Sequence, residues 1–112
     1  NINKKQDEED NAEFNNTYVE EMLEYWENNL TNIFRRQKDI LVADAVLEMF
    51  RRRANIENFN KKALYIFIRE MTGSKTQHIT RIVNMMKKYN TRLMAEFYKL
   101  GYLDTANTGS FL

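Results

Sequence analysis

The chain has 112 residues, 43% of them hydrophobic and 29% charged, with 17 Lys and Arg against 16 Asp and Glu. That amounts to one domain with apolar mass for a small core. The absence of cysteine excludes disulfide and thiolate chemistry, no apolar run reaches membrane-spanning length, and no signal peptide is visible, so a reducing, cytoplasmic setting without a membrane partner is expected.

There is no proline and there are three glycines, while Leu, Met, Glu, Lys and Arg abound. This composition favours long helices over tight hairpins, and the fold class expected is all-α, a small bundle of four to five helices with flexible termini. The charge is uneven along the chain. Residues 1–28 hold two lysines against nine acids, a net of −7, and the remainder holds fifteen cations against seven acids, a net of +8. An acidic head on a basic body suits an anionic partner for the body, or a head that only neutralises it.

Residues 1–15 are polar and acidic, and read as a flexible arm ahead of a helical domain at 16–101. Thr17 and Glu20 have capping-box spacing, which predicts a helix start there. Tyr18, Met22, Tyr25, Trp26, Leu30, Ile33 and Phe34 follow as one apolar stripe. A second helix is predicted over 39–53, with Asp39 as N-cap and Ile40, Ala43, Val46, Leu47 and Phe50 on its inner face. The break between the two, at 35–38, has no Gly or Pro, so a single long rod is an alternative. Arg51, Arg52 and Arg53 close the segment, where cations suit the negative end of the helix dipole.

Asn58 or Asn60 can cap a third helix, whose stripe is Ala63, Leu64, Phe67, Ile68 and Met71. Gly73 stands where a left-handed C-terminal residue is needed. Ser74 with Gln77 repeats the capping-box spacing and opens a fourth helix lined by Ile79, Ile82, Val83, Met86 and Tyr89. The phase continues through Leu93, Phe97 and Leu100, so a fourth and a fifth helix can be continuous across Asn90 and Thr91. Gly101 ends the pattern, and residues 102–112 read as a flexible tail closing on Phe111 and Leu112.

Residues 63–86 resemble the helix-turn-helix unit of bacterial repressors, in which a glycine occupies the turn and the second helix carries a Gln-x-Val-Ser-Arg-Val pattern. Gly73, Gln77, Ile79, Thr80, Arg81, Ile82 and Asn84 stand in the matching places. The chain departs from that pattern at Arg69, where a small residue is usual, and at Ser74, where an apolar one is. The resemblance implies DNA contact by Lys75, Thr76, Gln77, Thr80, Arg81 and Asn84, with Lys87 and Lys88 extending the positive side. The plainer reading is two capped helices with a solvated basic face.

Catalysis is not expected, and no cofactor or metal is implied. His78 is the sole histidine, predicted to point outward, and no phosphate loop or Ser-His-Asp set accompanies it. Tyr25, Trp26 and Phe67 fall in the core phase, with Trp26 also a candidate for a partner surface. Phe111 and Leu112, after a spacer of small polar residues, suit insertion into a partner's pocket.

The acidic start, the helical middle and the ending TANTGSFL resemble the late-transcription coactivators of T4-like phages. That resemblance implies attachment to the RNA polymerase β flap and contact with the sliding clamp through Phe111 and Leu112. Ser110 stands where an acid commonly precedes the Phe in those proteins. The reading that follows is a non-enzymatic transcription coactivator, phage-encoded and acting in the bacterial host cytoplasm. It would bridge RNA polymerase to another DNA-bound protein such as the clamp. The alternatives are a helix-turn-helix DNA-binding regulator and a small inhibitor of a host protein acting through its acidic arm and first helix.

Overall fold

The computed structural model describes residues 2–106, with side chains from Asn16 onward. Four α-helices follow one another: α1 Ile2–Ile33, α2 Gln37–Arg51, α3 Lys61–Thr72 and α4 Thr76–Leu100, with a short 3-10 turn, Arg53–Asn55, after α2. No strand occurs among the described residues, and the all-α class stands. Helix α2 packs against α1, α3 and α4, while α4 also touches α1 and α3.

The backbone of α1 is helical from Ile2, so Thr17 lies inside the helix and caps nothing. Residues 1–15, read as an arm, lie outside the described side chains. From Asn16 on, the inner face of α1 is the predicted stripe. Tyr18, Met22, Tyr25 and Trp26 are buried, with Leu23 and Asn29 added to them. Fully burying side chains of this size contributes about 1.5–3 kcal/mol each.

Helices α1 and α2 are separate, although nothing in the local sequence demands a break. Phe34 leaves the helix and is buried, stacked on Trp26 with ring centroids 6.1 Å apart. Arg36 is then extended (φ −81°, ψ 134°) and starts α2 without a side-chain cap. Burial of Phe34, not turn chemistry, accounts for the corner. It also displaces Asp39 from the predicted cap position into the first turn of α2.

Helix α3 starts as its cap predicts, with Asn60 Oδ1 accepting the Ala63 N–H at 2.9 Å. Helix α4 runs unbroken through Asn90 and Thr91. The Tyr18 hydroxyl donates to Asn90 Oδ1, and Thr91 Oγ1 donates to the Lys87 carbonyl one turn back. Its inner face, from Ile79 through Phe97, is buried as the periodicity predicts. Met71 and Leu100, counted in the stripes of α3 and α4, are 51% and 48% exposed. Both stand in the last turn of a helix, where periodicity names the face but no element covers it.

The chain reverses at Gly101 (φ +81°), whose N–H bonds to the Phe97 carbonyl at 2.8 Å. Leu103 is then buried, and its N–H donates to Glu21 Oε1 at 2.8 Å. Asn28 donates to the Thr105 carbonyl. The start of the predicted tail is therefore packed on α1, while Phe111 and Leu112 lie outside the described residues.

The aromatic core is built around Trp26, with Tyr25 edge-on at 5.9 Å and Tyr89 tilted at 5.2 Å. These separations are those favoured by ring quadrupoles. Trp26 is 1% exposed, which removes it as a partner-surface residue. Its helical phase points it at α4, and Phe34 covers it from the other side.

Candidate nucleic-acid interface

The α3–turn–α4 unit is formed, and residues 73–75 make the turn. Gly73 has φ +68°, and nothing lies within 4 Å of the position a Cβ would take. Backbone conformation, not space, is what calls for glycine there. Its N–H bonds to the Arg69 carbonyl at 2.8 Å. Arg69 lies on the exposed side, and its guanidinium donates to the Thr76 hydroxyl across the turn. So the residue that departs from the helix-turn-helix pattern ties α3 to the start of α4 instead of obstructing a crossing. Ser74 does not cap α4. Its hydroxyl pairs with Thr72 Oγ1 at 2.9 Å, and Lys75 takes the cap position with extended backbone and no side-chain bond.

The candidate contact residues do not share one environment. Lys75, Thr76, Gln77, Arg81, Asn84, Lys87 and Lys88 are exposed. Thr80 is half-buried, and its hydroxyl bonds to that of Tyr65 at 2.9 Å, joining α4 to α3. Gln77, Arg81, Asn84 and Lys88 fall on one outer face of α4. At 1.5 Å of rise per residue that face runs about 16 Å, which fits within a major groove. Over its length α4 carries Arg81, Lys87, Lys88, Arg92 and Lys99 against Glu96 as its sole acid.

His78 does not point into solvent as predicted. Its Nε2 donates to Asp39 Oδ1 at 2.7 Å, and its side chain is 22% exposed. Arg81 donates to the same Oδ1, also at 2.7 Å, and remains 54% exposed. Asp39 therefore joins the first turn of α2 to the first two turns of α4. Burial opposes its charge, but the hydrogen bonds from His78 and Arg81 outweigh that and hold the carboxyl below the usual aspartate range. Arg81, on the outer face of α4, is thus held by the first turn of α2.

Around this joint lies an open depression of about 420 Å³, lined by Arg36, Lys38, Asp39, Gln77, His78 and Arg81. Arg36 lies in the α1–α2 corner and Lys38 in the first turn of α2 beside it, and sequence reasoning did not include them among the contact candidates. Nothing local could have shown it, since some forty residues separate them from Gln77.

Arg51, Arg52 and Arg53, by contrast, serve the structure. Arg51 pairs with Glu48 at 3.0 Å and Asp44 at 3.3 Å, and Arg52 with Glu48 at 2.9 Å while lying over the Phe67 ring. Arg53 donates to the Phe50 carbonyl at 2.8 Å. Among the described residues no three His, Asp or Glu side chains are grouped to hold a metal, and no helix is long and apolar enough to cross a membrane. The chain matches no protein-family model, no curated protein and no solved structure.

Proposed function

We propose that the protein is a non-enzymatic transcription regulator that binds DNA directly, with the outer face of α4 in the major groove. One observation carries this reading. Residues 73–75 set α4 at the edge of α3, α2 holds its inner face, and Gln77, Arg81, Asn84 and Lys88 line its free face. Arg suits the two acceptors of a guanine edge, and Gln or Asn suits adenine. Lys87, Lys88 and Arg92 suit phosphates, which position a protein without reading sequence.

Bridging of RNA polymerase to a sliding clamp would rest on Phe111 and Leu112, outside the described residues, and on Trp26, which is buried. No observation favours it over direct DNA contact.

The test is selection of binding sites from random duplexes, followed by affinity measurements on Gln77→Ala, Arg81→Ala and Asn84→Ala. Each lost base contact should weaken discrimination at its position by about 1–3 kcal/mol. Unchanged affinity and unchanged sequence preference in all three would overturn the reading.

A further inference from the structure

The geometry points to a clamp for a backbone phosphate of duplex DNA in the depression between the α1–α2 corner and the start of α4, with Arg36 and Lys38 as its outer jaw. This rests on the DNA-binding reading of α4 and extends the contact surface to a second part of the chain.

Charge is the first argument. Arg36, Lys38 and Arg81 bring three permanent cations to the depression, and Asp39 is the one acid among its lining residues. Asp39 is already engaged, since His78 and Arg81 converge on its Oδ1 at 2.7 Å each. Among the described residues neither Arg36 nor Lys38 has an ion-pair partner, and both are exposed. The depression therefore holds an excess of positive charge directed at solvent, which an anion would satisfy.

The kind of anion follows from the lining. No Phe, Tyr or Trp is among the lining residues, and the one ring there, the His78 imidazole, is bonded to Asp39 with its side chain 22% exposed, so the depression offers no open platform on which a nucleotide base would stack. A phosphate without its base suits the cations offered. Continuity decides its source. Gln77 and Arg81 line the depression and also belong to the outer face of α4. A phosphate held here would sit at the rim of whatever groove that face enters. Contacts of this sort set register along the duplex and add affinity independent of sequence.

The experiment is a salt titration of duplex binding by the full chain and by the variant Arg36→Ala/Lys38→Ala, with Asn84→Ala alongside. Each phosphate contact contributes about 0.9 to the slope of log affinity against log salt. Loss of the one phosphate that the two side chains hold should make the slope shallower by about 0.9, which is about 8-fold weaker binding near 0.1 M salt if the two forms converge at 1 M. The loss should be equal on all duplex sequences, with the thermal transition unchanged because both side chains are exposed. Asn84→Ala should alter sequence preference and leave the slope in place. An unaltered slope in the double variant, while Asn84→Ala loses preference, overturns the clamp and leaves the α4 reading standing. A loss confined to particular sequences also overturns it, because the jaw would then touch bases. Failure of the unmodified chain to bind any duplex at low salt overturns both.

Discussion

Asp39→Asn takes a charge from the joint between α2 and α4 while keeping the shape of the side chain. Two interactions are affected, and their exposure sets their weight. The bond from His78 is largely out of water, the two side chains being 22% and 10% exposed. A hydrogen bond to a charged group in such a place contributes about 1.5–3 kcal/mol. Arg81 is 54% exposed, so its share falls to the surface range of about 0.2–1 kcal/mol. Asn keeps one neutral acceptor and hence part of the first bond. The net loss expected at pH 7 is about 1–2 kcal/mol, or a Tm lower by about 5–10 °C for a domain of this size. The sign with pH follows from the depressed carboxyl. Its folded-state pKa lies below that of the unfolded chain, so the stabilisation is complete above about pH 4 and disappears as pH falls through the folded value. Thermal unfolding followed by circular dichroism at pH 7 and at about pH 3 should show the gap between wild type and Asp39→Asn closing in acid. A gap of equal size at the two pH values, or none at pH 7, would refute this account of the joint.

Two further substitutions test local features. Gly73→Ala meets no neighbouring atom, so its cost is the left-handed backbone alone, about 1–2 kcal/mol by denaturant titration; a much larger loss would mean that the turn is sterically closed. Asn29 is fully buried, donates to the Tyr25 carbonyl at 2.9 Å, and leaves its Oδ1 without a partner among the described residues. An orphaned buried acceptor costs about 1–3 kcal/mol, so Asn29→Leu should be neutral or raise the unfolding midpoint. A clear loss of stability would show that the side-chain oxygen is satisfied after all.

The bundle was more legible in the sequence than the candidate interface. Apolar spacing named the inner faces of all four helices, because a 3.6-residue period is a local property that burial then uses. Asn60 and Gly73 were legible for a similar reason, since a cap acts within a few residues of itself. Asp39 shows where locality ends. A carboxylate near a helix start is equally suited to capping its own helix and to accepting from another. The choice fell to His78 and Arg81, some forty positions away.

Phe34 and Trp26 show the same limit in the core. The corner between α1 and α2 has no turn residue to announce it, and it exists because Phe34 finds burial against Trp26. Trp26, open on the sequence to either a core or a surface role, was committed to the core by Tyr89 and Phe34 closing over it. Composition and periodicity by themselves determined that this chain is a bundle of amphipathic helices with a glycine-based turn ahead of a basic one. Tertiary packing alone decided that the α1–α2 corner and the start of α4 share one positive depression, because juxtaposition of distant charges depends on how helices cross, and no spacing along the chain encodes that.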